Sequence, residues 1–307
     1  MPPPCPLLGG KAMPRDMLRP FGKLDVLYYY REVGKALLDF LRGKELASKV
    51  WIPGGPKIIK RASKHGELYI EQLVESVDEE FLRLRLHSLK EVREKLTETQ
   101  ARVWNYFLPR KLCDFFYATN GEGEGKAIER IFFDIDRPSE VEPQEAQRAA
   151  KVLVELIRGD EEFNAILPDY QVFCMYTGSS FHVYLLLEKE LPPEFYNMYL
   201  RFSKSNPEAS FTGRWAERMR RKQGIPIAGG HEKLASQLTL DPSQTPSGKL
   251  ARAPFSLHMR DAKSIDGIAL PLTEDMLAER DLIGELKSYT PDRVLEDLHE
   301  LRKRIPE

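Results

Sequence analysis

The chain reads as an α+β protein. Apolar runs of period two, closed by Gly, Pro or charged turns, predict strands; apolar residues spaced three and four apart predict helices. The two kinds of segment are interspersed without the strict alternation of a doubly wound sheet. The third observation is chemical. Asp134 and Asp136 form an acidic-apolar-acidic step at the end of the run Arg130-Ile131-Phe132-Phe133, and Pro138 closes the strand.

Taken in order, residues 1–20 are rich in Pro and Gly and predict a poorly ordered tail. From Leu24 to Leu41, Val26, Leu27, Tyr30, Val33, Leu37 and Leu38 fall at helical spacing, and Gly43 is placed to end the helix. Lys49–Ile52, Lys57–Lys60 and Glu67–Ile70 are strand candidates separated by Gly or His-Gly turns. Ser88 is placed to cap a long helical stretch through Trp104. The Gly-Glu-Gly-Glu-Gly run, 121–125, is a loop.

After the acidic strand, Pro143–Arg158 predicts a helix with Ala149, Ala150, Val152, Leu153 and Leu156 on its apolar side. Gln171–Met175 and Val183–Leu187 predict strands flanking the turn Thr177–His182. Glu194–Phe202 reads as helix, Thr212–Gln223 as a basic helix, and Gln237–Leu240 as a strand ending at Asp241. Helices near Thr273–Leu286 and Pro291–Arg304 complete the chain.

At 307 residues and 42% hydrophobic, the chain can bury a sizeable core. Its charged content is 30% but mixed in sign, with a formal net charge of −1, so a nucleic-acid surface must be a local patch. No stretch approaches the roughly 20 apolar residues of a membrane span, and the N-terminus lacks a secretory pattern. Cys5, Cys113 and Cys174 form no CxxC pair, which supports neither a disulfide framework nor a zinc site. An intracellular, cytoplasmic protein without membrane or zinc is expected.

Residues two apart in a strand point the same way, so Asp134 and Asp136 leave one face a few ångströms apart. Two like charges held that close repel unless a cation lies between them. The direct reading is a divalent-metal site for phosphoryl transfer. Asp241, at another strand end, supplies the further carboxylate that two Mg²⁺ or Mn²⁺ ions need. The turn Thr177-Gly178-Ser179-Ser180 offers N–H groups and hydroxyls to phosphate oxygens, and His182 can donate to a phosphate.

This order of acidic pair, small-residue turn ending in His, and strand-end Asp resembles the archaeo-eukaryotic primase superfamily. Leu24–Leu46, the helix Pro143–Ile157, Ala253–Leu257 and Ala269–Leu272 are similar to ligase-D-type end-joining polymerase domains. Arg252–Arg260 also resembles the R-x-P-x-S-L-H-x-K pattern of archaeal primase small subunits, with Arg260 at the Lys position. The turn departs from both groups: it lacks the second Gly and the basic residue. Asp114–Tyr117 stands where an upstream His is expected.

The resemblance implies an RRM-like catalytic palm module over 121–307, packed against an N-terminal α/β module over 21–120 as one polymerase domain. It implies metal binding by Asp134, Asp136 and Asp241. Nucleotide contacts fall to Ser179, Ser180, His182, Arg252, Ser256, His258 and Arg260. Lys60 and Arg61, with Arg214, Arg218 and Arg221 on the basic helix, are candidate DNA contacts. The implied activity is template-directed addition of nucleoside triphosphates to a 3′-hydroxyl in end-joining repair of double-strand breaks, on gapped, recessed or broken DNA ends with a 5′-phosphate. A separate ligase, a Ku-like protein and a phosphoesterase are implied partners. De novo priming, an inactive nucleic-acid-binding scaffold and an unrelated phosphohydrolase are the alternatives.

Overall fold

The computed structural model describes residues 25–232 and 234–306. The tail expected over 1–20, Cys5, and residues 21–24 of the N-terminal module lie outside the described residues. Twelve strands run in chain order through them: β1 (Leu46–Trp51), β2 (Lys57–Lys60), β3 (Cys113–Ala118), β4 (Ile128–Asp136), β5 (Tyr170–Tyr176), β6 (Phe181–Leu191), β7 (Ile227–Gly229), β8 (Leu238–Asp241), β9 (Leu250–Arg252), β10 (Leu257–Met259), β11 (Ile265–Ile268) and β12 (Leu270–Leu272). They form a four-stranded sheet, β2-β1-β3-β9, a six-stranded sheet, β12-β5-β6-β4-β8-β7, and the hairpin β10-β11. All pairings are antiparallel except β7 with β8. The mixed sheets and helices make an α+β fold. The fourth strand of the first sheet, β9, comes from beyond residue 121, so the expected 120/121 boundary does not partition the sheets.

Side chains along β4 alternate between two environments. Phe133 meets Trp215 of the Phe211–Gln223 helix, ring centroids 5.8 Å apart, while Phe132 meets the His182 ring on the other side at 4.6 Å. Helix Pro143–Arg158 has Pro143 in its first turn, where a missing N–H costs nothing. Its buried face carries Ala146, Ala149, Ala150 and Leu153. Small side chains there let the helix axis approach its neighbours closely, and burying this face removes a continuous apolar stripe from water.

Several local expectations give way. The helix begun by Ser88 tightens after Val92 into a 3-10 turn over Arg93–Lys95 and stops where Leu96 is extended, and Thr97 starts a new helix over Glu98–Tyr106. Thr97 Oγ1 accepts from Gln100 N–H, and the Gln100 side chain accepts from Thr97 N–H, both at 3.1 Å. Glu67–Ile70 is not a strand: only Tyr69 bridges Glu45, and a helix begins at Ile70 with Gln72 capping Tyr69 N–H. The first helix stops at Ala36. The expected helix Glu194–Phe202 is present over 194–200, opening α-helical and widening over Tyr196–Leu200. Thr273–Leu286 divides where Glu279 turns extended, and Pro291–Arg304 divides at Asp297. No helix among the described residues is long and apolar enough to cross a membrane.

Candidate active site

Asp134 is the centre of a cross-strand row. On β4 it stands directly opposite His182 of β6 on one side and Asp241 of β8 on the other. Directly opposed residues project from the same face of a sheet, and Asp136, two residues on, joins them. His182 is buried, with Nε2 at 3.4 Å from Asp134 Oδ1 and Nδ1 at 3.3 Å from the Tyr184 hydroxyl. Burial raises the Asp241 carboxyl above the usual range; hydrogen bonds from Ser243 pull it back, and Asp134 and Asp136 push it up again.

Those Ser243 bonds occupy both oxygens of Asp241: the N–H donates to Oδ1 at 2.8 Å and Oγ to Oδ2 at 2.9 Å. Among the described residues no group of three or more His, Cys, Asp or Glu side chains stands gathered as a ready metal cage. The donor chemistry nevertheless fits a hard divalent cation. The groups are carboxylate oxygens beside one another in a cleft, at a charge cost that a cation relieves, and Mg²⁺-type ions keep water or phosphate oxygens in their shell. The two described thiols are unlike ligands: burial pushes Cys174 up to about 12 and Cys113 well above its usual value.

The carboxylates border a cleft of about 1020 Å³ that is also lined by the cations Lys49, Arg61, Lys249 and Arg252 and by His231 and His258. Lys49 and Arg252 lie on the four-stranded sheet and Arg61 and Lys249 adjoin its strands, whereas His258 is on β10 and His231 follows β7. Lys49 opposes Ile59 of β2 and Asp114 of β3, and Phe116 of β3 opposes Arg252 of β9. Asp114 lies buried beneath them. It accepts from Arg252 Nη1 at 2.7 Å and Trp51 Nε1 at 2.6 Å, with Lys49 Nζ at 3.8 Å. Burial alone would raise the Asp114 carboxyl, but Arg252 and Lys49 hold it below its usual value. Arg252 also donates to the Leu257 carbonyl at 2.8 Å, so the same contacts that fix it also occupy part of it. His258 lines the cleft with Nδ1 buried and without a hydrogen-bond partner; burial, reinforced by Arg252, lowers it to about 4.

The Thr177–Ser180 turn is held from three sides. Thr177 N–H donates to the Ser180 carbonyl at 2.9 Å, and Ser180 N–H to Thr177 Oγ1 at 3.0 Å. The Ser180 hydroxyl donates to the Ile135 carbonyl, and Arg137 Nε to the Ser179 carbonyl at 2.9 Å. Gly178 has φ +96, and a Cβ there would lie 2.5 Å from His258 Cβ, so the position requires glycine on both counts. Two of the four N–H groups in the turn are thus spent on the turn itself.

The structure brings Asp134, Asp136, Asp241, His182, Ser179, Ser180, Arg252, His258 and Arg61 to one cleft. It places the other expected residues elsewhere. Ser256 is wholly buried, accepting from Phe115 N–H at 2.8 Å and donating to the Leu257 carbonyl at 2.9 Å, and does not line the cleft. Arg260 is exposed near Asp261 and Asp266, and Lys60 sits on β2 outside the lining. Arg61 pairs with Glu122. On the basic helix Arg214 meets Glu162 at 2.5 Å, Arg218 meets Asp160 at 3.2 Å and Arg221 meets Glu217, which neutralises most of that face. Sequence reasoning missed Asp114, Lys49, Arg137 and Lys249. Asp114 carried a usable signal, an acid inside the apolar run Cys113–Ala118.

No family model matches the chain, and no curated protein matches it in sequence. Among solved structures it is similar to the polymerase domain of Mycobacterium tuberculosis ligase D in complex with DNA, with a TM-score of 0.58 and 15% identity over 97% of this chain and 99% of that one. That likeness establishes a shared fold.

Proposed function

We propose that the chain is a template-directed nucleotidyltransferase that extends a 3′-hydroxyl at DNA ends during end joining, built on an RRM-like palm. One observation carries the reading: the row His182–Asp134–Asp241, with Asp136 on the same face, shares a single cleft with Lys49, Arg252 and His258. Acids and cations lining one cleft suit a nucleoside triphosphate, whose α-phosphorus is attacked while pyrophosphate leaves. Asp134, Asp136 and Asp241 would hold divalent cations, Mn²⁺ or Mg²⁺. Such cations, when bound, lower the pKa of the attacking hydroxyl and stabilise the leaving oxygen.

The chain's own residues orient and neutralise. His182, held between Tyr184 and Asp134, presents an imidazole beside the acidic row. Arg252 and Lys49, fixed by Asp114, present positive charge to the triphosphate oxygens. His258 is neutral at physiological pH, so its contribution is a hydrogen bond rather than a charge. Phe116 and Ile59 supply apolar surface beside these groups.

The test offers the protein gapped DNA with a 5′-phosphate and, separately, a bare single strand, each with Mn²⁺ or Mg²⁺ and ribo- or deoxynucleotides. Extension of the gapped substrate is expected. Products on the bare strand alone would replace the reading with de novo priming, and no product on either would overturn it.

A further inference from the structure

A second groove, of about 1330 Å³, shares no lining residue with the carboxylate cleft. One side of it is a sheet edge. The edge strand β12 is three residues long and pairs with Cys174–Tyr176 only, whereas β5 begins at Tyr170. Beyond Leu272 the chain turns away into the short helical turn Asp275–Ala278. Gln171, Val172 and Phe173, where a longer edge strand would continue, line the groove instead.

The direction of the backbone groups follows from the hairpin. Thr177 N–H donates to the Ser180 carbonyl, so Thr177 and Ser180 are a hydrogen-bonded pair. Antiparallel pairs alternate, and counting back by two gives Met175, Phe173 and Gln171 bonded to β6. Tyr176, Cys174 and Val172 direct their N–H and C=O to the opposite edge. Leu270 and Leu272 of β12 face the first two. Val172 is the next rung; it is buried, and among the described residues no strand lies against it. By this alternation the Val172 N–H and C=O face the groove with no strand against them among the described residues, an open rung that a further strand can extend.

The groove walls state what kind. Phe40, Phe173, Leu272 and Ile305 give apolar surface. Of the cations, Arg158 is paired with Glu274 at 2.5 Å and Arg302 with Asp39 at 3.3 Å. Arg304 acts electrostatically on Glu300 and Tyr289, yet its Nη1 is buried and makes no hydrogen bond. A guanidinium so placed is matched by a carboxylate. We propose that this groove takes an extended, acidic peptide strand of a partner protein, which pairs with the Val172 edge, lays apolar side chains on Phe173 and Leu272, and offers a carboxylate to Arg304.

The proposal is tested by selecting a display library of random 12-residue peptides against the protein, then measuring the enriched peptides by fluorescence anisotropy. Two variants are compared, each checked for an unchanged melting profile. Val172→Pro removes an N–H that makes no bond to β6, and Arg304→Gln removes the guanidinium. Enriched peptides are expected to carry Asp or Glu among Val, Ile or Leu without a central Pro, and to bind each variant at least tenfold more weakly. If Val172→Pro fails to fold, Arg304→Gln decides alone. No enrichment, enrichment of basic peptides, or binding indifferent to Arg304→Gln overturns the proposal, as does single-stranded DNA that competes for the groove and loses affinity in Arg304→Gln.

Discussion

Asp114→Asn is the perturbation with the most calculable consequence. The carboxylate is 1% exposed and faces an 8% exposed Arg252 at 2.7 Å, while its other oxygen accepts from Trp51. The amide keeps one acceptor and turns an NH₂ towards a donor, so at least one charged or indole hydrogen bond is lost. Arg252 is then left buried without its counter-charge. Breaking a buried pair costs about 3–5 kcal/mol, and the retained acceptor returns part of it, so a loss of about 3 kcal/mol is expected in urea unfolding at pH 7. Lys49, more exposed at 24%, adds little because solvent screens it.

The pH sign follows from a lowered carboxyl. Its stabilisation is present above the unfolded-state value, about 4, and is lost as pH falls through the folded-state value. The variant should lack this contribution, so the two unfolding curves converge below about pH 4. In nucleotide addition, KM should rise at least about tenfold as Arg252 and Lys49 lose their anchor, with kcat less affected. A variant within about 0.5 kcal/mol of wild type and with unchanged KM would refute the role given to Asp114.

Three other outcomes are expected. His182→Ala should raise the nucleotide KM about tenfold or more, while gapped-DNA affinity measured by anisotropy stays within about twofold; lost DNA binding would contradict its place beside Asp134. Gly178→Ala forces a Cβ against His258 in a left-handed conformation, and should cost about 1–3 kcal/mol in thermal unfolding together with activity. His258, lowered to about 4, opposes folding as it protonates, so wild-type stability should fall relative to His258→Gln as pH drops from about 6.5 towards 4; an opposite slope would mean a charged His258.

The elements that carry the acidic row were legible because they have strong local signals. Pro143–Arg158 has a Pro start and a continuous apolar face, and the acidic strand, the Thr177–His182 turn and the strand ending at Asp241 are each bounded by turn residues. What could not be read is register. That Asp134 stands between His182 and Asp241 depends on three strands pairing without a one-residue slip, which no local pattern states.

The cationic lining was harder still. Cys113–Ala118 is buried on both faces, so it shows no alternation; the acid within it is conspicuous, but its partner Arg252 arrives from 138 residues away. Conversely, the basic helix advertised itself through Arg214, Arg218 and Arg221. Their partners Glu162 and Asp160 come from an earlier segment, and only Glu217 was visible locally. Charge counted along a sequence misses charge cancelled across space.

The most direct measurement is nucleotide addition to gapped, 5′-phosphorylated DNA by Asp134→Asn beside wild type, in Mn²⁺ and in Mg²⁺ under single-turnover conditions. The row centred on Asp134 predicts a loss of about 10³-fold or more in rate, with folding and DNA affinity retained. Extension by the variant at the wild-type rate would contradict an active site built on that row.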